Sequence, residues 1–178
     1  MNDMQIVFVP SLTLRKKSRQ VNDDEFGEDL NTHMNNMLKK MYELNGVGLA
    51  GVQIGDARRI LVADAGNGPT LMANPEILKS SEEVVLFKEG CLSLPGFQVD
   101  LERSQSIHVK YSDPFGQGKQ GEFSGVDAVV IQHEIDHLDG VTLLEKVSKL
   151  KKDIYVRKIN KFKRKIKNRI KQNNQVYY

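Results

Sequence analysis

Apolar residues recur at three- and four-residue spacing along the first third of the chain. Leu30, Met34, Met37, Leu38 and Met41 fall on one side of a helical net. That period predicts an amphipathic helix over about residues 25–44, capped by Asp23 or Asp24, with its methionines in the core. Other stretches run apolar or alternate between turn residues and read as short strands. These are residues 4–9, closed by Pro10; 59–65, before a Gly66-Asn67-Gly68-Pro69 turn; 71–74, before Pro75; 77–81; 83–87; and the cleanly alternating 106–112. Residues 11–21 read as a basic loop. A turn at residues 113–116 leads through a polar connection to residues 121–124. A second helix is expected from about Asp127, stopped by Gly140, with residues 141–144 a short closing strand or turn. From about residue 148 to 172, Leu150, Ile154, Ile159, Phe162, Ile166 and Ile170 keep an irregular helical stripe among lysines and arginines.

Composition narrows this pattern. The chain has 178 residues, enough for one domain with a real core. Its 39% hydrophobic and 28% charged residues fit a globular protein and argue against disorder. No apolar run approaches a membrane span, and no secretory signal is visible. The one cysteine, Cys91, has no internal disulfide partner, which suits a reducing compartment. The net charge of +3 hides an asymmetry: twelve of the 26 lysines and arginines but one of the 23 acids lie from Lys149 onward. The tail therefore carries +11 and residues 1–148 carry −8, which aims the tail at a polyanion.

The candidate chemistry sits in Gln132-His133-Glu134-Ile135-Asp136-His137. On a helix, His133 and His137 leave the same face and can share one metal ion such as Zn²⁺ or Fe²⁺. Glu134 follows the first imidazole directly, where a general base would stand without ligating. Two of the four histidines fall in this hexapeptide, and its flanks are mostly apolar. Burying His and Glu there without partners would be costly, and a metal removes that cost.

A catalytic metal site usually has three protein ligands. The two main peptidase patterns fail: Leu143 stands where one would place a third His, and the basic tail offers the other no glutamate. The candidates are upstream: Cys91, His33, His108, Glu89 and several Asp. Cys91 fits best, because a thiolate is a strong ligand for these metals and the residue sits in a Gly-flanked segment ending at Pro95. His33, on a Met-rich helix, and His108, in an alternating strand, read as packing or surface residues. A third segment, residues 45–55, is rich in glycine but lacks the Gly-Lys-Ser/Thr ending of a phosphate loop. Within it, Gln53 is an amide in apolar surroundings that needs a partner.

Three segments now stand in order: Gly46-Val47-Gly48-Leu49-Ala50-Gly51-Val52-Gln53, Glu89-Gly90-Cys91-Leu92-Ser93, and the His-Glu-Ile-Asp-His run. Together they resemble the peptide deformylase family over roughly residues 5–165. The resemblance implies an α+β fold of antiparallel sheets around a central helix carrying the two histidines, flanked by N-terminal and C-terminal helices. Residues 1–148 would form the catalytic domain, with a basic helix over 149–178 continuous with it. Cys91, His133 and His137 would hold one divalent metal, usually Fe²⁺, with Zn²⁺, Ni²⁺ or Co²⁺ able to replace it. Glu134 would be the base, and the Gln53 amide and the Leu92 N–H would meet the oxyanion. Val47, Phe87, Val129 and Val130 would line a slot for methionine. Gly48 and Gly90 would let a peptide backbone pair as an added strand. Glu89, partnered by Arg103, would support the site without carrying chemistry.

The expected substrates are nascent formyl-methionyl peptides. The expected partner of the basic helix is ribosomal RNA near the nascent-chain exit, favoured over a membrane surface. Neither DNA binding nor a membrane-spanning segment is expected. The protein would be a cytoplasmic monomer of bacterial type, with an organellar or virus-encoded source as the alternatives. Two departures from the family pattern stand out: Gly51 where a second alanine is usual, and Gln98 where many members carry a substrate-contacting arginine. The competing readings are a metallopeptidase or amidase of other specificity, and a deformylase-like ribosome-binding module without catalysis.

Overall fold

A computed structural model of the chain describes the backbone of residues 4–174 and the side chains of residues 4–161. Its first helix, α1 (Glu28–Glu43), carries the expected stripe inward: Leu30, Met34, Met37, Leu38 and Met41 are all buried. The helix starts later than its periodicity suggests. Asp23–Glu25 form a separate 3₁₀ turn, so neither aspartate caps α1. The Glu25 carboxylate accepts from the Asn22 N–H at 3.0 Å and clasps Arg19 with both oxygens. Gly27 then opens α1, its carbonyl accepting from the Asn31 N–H.

The strands form two antiparallel sheets. The larger runs in the order β1 (Gly48–Ala50), β2 (Ile60–Ala63), β3 (Thr70–Ser80), β6 (Ser106–Ser112), β7 (Gly118–Ser124); the smaller pairs β4 (Val84–Gly90) with β5 (Gln98–Ser104). The fold is therefore α+β with antiparallel sheets, as expected. Several local expectations change. Residues 4–9 form no strand and belong to no sheet. The two strands expected around Pro75 are one, β3. Asn74, at φ 54°, and Pro75 form a bulge that shifts the register on β6 between Ala73 and Glu76. A bulge is where a sheet tolerates a residue with no N–H to donate. The Asn74 amide fixes this kink by pairing with both the N–H and the carbonyl of Val21. Strands β5 and β7 went unassigned in the sequence.

The second long helix, α2 (Gly125–Leu138), carries the paired histidines. It touches β1, β2, β5, β6 and β7, and Ala128, Val129, Val130, Ile131, Ile135 and Leu138 are buried. A helix apolar on nearly every side belongs inside a core rather than on it. The helix stops where the sequence indicated. Gly140 takes φ +77°, and the Gly140 and Val141 N–H groups return to the carbonyls of His137 and Asp136. A Cβ at Gly140 would also sit 2.6 Å from the Arg15 carbonyl oxygen.

Contacts divide the chain after Thr142. The second unit contains α3 (Lys149–Asn174), the expected basic helix. Phe162, Ile166 and Ile170 of its apolar stripe lie outside the described side chains. Among the described residues, no helix is long and apolar enough to cross a membrane.

Candidate metal centre and substrate cleft

Helix α2 presents His133 and His137 one turn apart, with ring centroids 4.9 Å apart and planes at 75°. Cys91 follows the last residue of β4 and reaches the same point. One donor atom each from Cys91, His133 and His137 lie within 4.8 Å of one another, and the Cys91 Sγ is 3.1 Å from His137 Nε2. Among the described residues this is the one group of three or more His, Cys, Asp or Glu arranged to hold a metal ion. Thiolate and imidazole donors suit a borderline transition metal and not calcium or magnesium. His33 and His108, weighed as ligands from the sequence, are not in the group.

The donors are held from behind. His133 Nδ1 lies 2.7 Å from Glu89 Oε2, which fixes the proton on that nitrogen and turns the Nε2 lone pair toward the cluster. Glu89 in turn receives Arg103 through both oxygens, at 2.6 and 3.0 Å. The expected Glu89–Arg103 pair is therefore present. Its extension was not foreseen: Arg103 also donates to Asp136 Oδ2 at 2.6 Å, so one guanidinium bridges β4 to α2. Only the aspartate's place in the histidine motif could have signalled this. His137 Nδ1, by contrast, is buried with no partner among the described residues.

Charge follows from this packing. Burial raises the cost of ionising Glu89, but bonds from His133 and Arg103 outweigh it and bring the carboxyl down to about 2. Burial would lower the His133 imidazole. Cys91, Glu89 and the charge of Glu134 reverse that and carry it up to about 10. Burial, the His133 charge and Arg103 push the His137 imidazole the other way, well below its usual range. Burial pushes Glu134 up to about 7, opposed by the His133 charge and the Ala50 N–H.

Above the donors lies a cleft of about 380 Å³. Every residue expected to meet substrate lines it. Val47, Phe87, Val129 and Val130 supply apolar surface, and Gly48 and Gly90 stand where β1 and β4 border the opening. Gln53, Leu92, Cys91, His133, Glu134, Glu89 and Gly46 line it as well, together with Asn45 and Lys88, for which the sequence suggests no role. Glu134 is 3% exposed, and its Oε2 has no partner among the described residues. Gly48 makes its position possible: a Cβ there would collide with the carboxylate, 2.9 Å from both Cδ and Cγ. Gln53 has found its partners. Its Oε1 accepts from the Ala50 N–H at 2.7 Å, and its Nε2 faces Ser93 Oγ at 3.3 Å and Cys91 Sγ at 3.5 Å. The Leu92 N–H has no acceptor among the described residues.

The two departures now have surroundings. A Cβ at Gly51 would stand 2.9 Å from Ile60 Cγ1 and 3.1 Å from the Arg58 carbonyl oxygen, so Ile60 fills the space an alanine methyl would need. Gln98 is exposed and pairs in register with Gly90 at the rim.

A helix bearing two imidazoles, a cysteine sulfur brought to them, and a buried glutamate on the cleft beside them define a metal-dependent hydrolase. Comparison with known proteins narrows the class. Residues 3–153 match the family model for polypeptide deformylase. The chain is 42% identical to the peptide deformylase of Thermotoga maritima over 78% of its length and 84% of the relative's. It is 39% identical to that of Mesorhizobium japonicum, over 85% and 88%. Among solved structures, the Thermotoga maritima peptide deformylase superposes with TM-score 0.79 at 40% identity, covering 83% of this chain and 99% of that one. The Ehrlichia chaffeensis enzyme gives 0.84 at 35%, over 91% and 97%. The chain belongs to the peptide deformylase family, hydrolases that remove N-formyl groups from newly made polypeptides.

Proposed function

We propose that Cys91, His133 and His137 hold one divalent ion, Fe²⁺ in the cell, and that Glu134 is the general acid and base of deformylation. The same donors would accept Zn²⁺, Ni²⁺ or Co²⁺. Bound there, such an ion supplies Lewis acidity and lowers the pKa of water at the site. The other steps belong to the chain. Glu134 takes a proton from the attacking water as its oxygen bonds to the formyl carbon. Gln53 Nε2 and the Leu92 N–H donate to the oxygen that gains charge. Glu134 then hands its proton to the leaving nitrogen as the C–N bond breaks, giving formate and a free amino terminus. Val47, Phe87, Val129 and Val130 receive the methionine side chain. The free edges beside Gly48 and Gly90 accept the peptide backbone as a strand. Glu89 and Arg103 hold His133 in place.

The observation that carries this reading is the Glu134 carboxylate. It is buried, faces the cleft beside three metal donors, and has one oxygen without a protein partner. Replacing it tests the role. Glu134→Ala should bind metal as the parent does and lose about 10²- to 10⁴-fold in formate release. Parental turnover in that variant would remove Glu134 from the mechanism.

We further propose that the protein is a cytoplasmic monomer and that α3 docks on ribosomal RNA. The support for the docking is the +11 balance from Lys149 onward against −8 in the remainder. Charge reversal at Arg157, Lys158 and Lys161 should weaken co-sedimentation with ribosomes and flatten its salt dependence. Unchanged co-sedimentation would refute the docking.

A further inference from the structure

We propose that the segment at residues 4–9 and the buried Ser93 together position the Gln53 amide for catalysis. The proposal rests on the reading of Gln53 as an oxyanion donor. The segment looks like a strand in sequence, yet it joins no sheet, and its hydrogen bonds go elsewhere. The Val7 N–H donates to the Gln53 carbonyl at 2.7 Å, and the Val9 N–H donates to the Ser93 carbonyl at 3.1 Å. One short segment therefore ties together two backbones that are 40 positions apart in sequence.

The side chains of those two residues meet above Cys91. Gln53 is 1% exposed and Ser93 is fully buried. The Ala50 N–H bonds the amide oxygen at 2.7 Å, which decides which end of the amide is nitrogen. Ser93 Oγ then lies 3.3 Å from Nε2 and holds it on the side of Cys91 Sγ. Gln53 itself sits in a 3₁₀ turn of four residues, Gly51–Ile54, a frame too short to be rigid alone. Removing the Ser93 hydroxyl leaves the amide nitrogen with the longer contact to Cys91 Sγ, and the amide oxygen with the Ala50 N–H. Removing the Val7 N–H frees the turn from the strap. In either case the donor drifts from the 2.7–3.1 Å range that oxyanion stabilisation requires, roughly as the general geometry has it. Ser93 and the strap act through Gln53 and touch no reacting atom, so they are positioning elements.

The test is steady-state kinetics on a formyl-methionyl tripeptide, at equal measured metal content per chain. The proteins are the parent, Ser93→Ala, Val7→Pro, Gln53→Ala and the double variant Ser93→Ala/Gln53→Ala. Gln53→Ala should lower kcat about 10²-fold. Ser93→Ala and Val7→Pro should each lower kcat about tenfold with KM within about twofold, as a displaced donor does and a merely weakened fold does not. The double variant should be no slower than Gln53→Ala alone, because groups that act as a unit are not additive. Parental kcat in both Ser93→Ala and Val7→Pro, beside a lost kcat in Gln53→Ala, would overturn the proposal. So would a double variant slowed by the product of the two single effects. Parental kcat in Gln53→Ala would remove the role of Gln53, and this proposal with it.

Discussion

Gly48→Ala separates catalysis from stability at one atom. The added Cβ would overlap the Glu134 carboxylate and stand 2.9 Å from its Cδ and Cγ, closer than carbon atoms approach. Something must shift. β1 is hydrogen-bonded along β2 from Gly48 to Ala50, and α2 is buried, so neither backbone yields easily. The carboxylate is the movable part, and it lines an open cleft. A displacement of about 1 Å of a catalytic group costs about 10²-fold in rate. The stability cost should fall at the low end of overpacking, about 1 kcal/mol, because the colliding atoms end a side chain. For a chain this long that is about 2–4 °C in Tm. Formate release, thermal melting and metal content measured on one preparation would read all three quantities. Gly90→Ala is the stability control, since its Cβ would meet nothing nearer than the Phe97 carbonyl oxygen at 3.8 Å. The reasoning is refuted if Gly48→Ala, with one metal per chain, keeps kcat/KM within about threefold of the parent.

Three further outcomes are expected. Arg103→Ala should strip the buried Glu89 carboxylate of its guanidinium and leave it the His133 contact alone, costing about 3 kcal/mol in denaturant melts and about tenfold or more in metal affinity; Arg103→Lys should recover part of both. The Asp56 carboxyl pays a burial cost, but His33 and Arg58 outweigh it and hold the group well below its usual range. A carboxyl depressed on folding stabilises above its unfolded pKa and loses that contribution as pH falls, so Asp56→Asn should flatten the drop in Tm below about pH 4. An equally steep drop in the variant would contradict this. Metal loading should release protons, because a thiolate and neutral imidazoles are the binding forms, so affinity should fall as the buffer is made more acidic; metal titrations in weak buffer would read both effects.

The parts of the fold that were legible in sequence are those whose period matches their burial. The stripe from Leu30 to Met41 and the alternation of residues 106–112 became α1 and β6 because each has one buried face. β7 has no buried face and pairs only with β6, so Gly118–Ser124 reads as a polar connection. β5 starts shortly after Pro95 and Gly96, and Arg103 occupies a buried place in its alternation after Val99, so a charge breaks the apolar period. Pro75 reads as a break because the sequence does not reveal that a bulge accommodates it. Residues 4–9 have strand composition but spend their hydrogen bonds on Gln53 and Ser93. The site was more legible than the fold, because metal chemistry restricts residue types and the histidine spacing survives any packing detail. What stayed hidden were contacts between segments far apart in sequence: Asp136 on Arg103, Ser93 on Gln53, and Gly48 against Glu134, where the space is needed by the base as well as by substrate.

The most direct test of the account is formate release from a formyl-methionyl tripeptide by protein prepared without air and loaded with Fe²⁺ or Ni²⁺. One formate and one free amino terminus should appear per peptide cleaved. Release should depend on the metal, stop when a hydroxamate is added, and be absent from the same peptide without its formyl group. Protein carrying one metal per chain that releases no formate, or that cleaves the unformylated peptide instead, would contradict it.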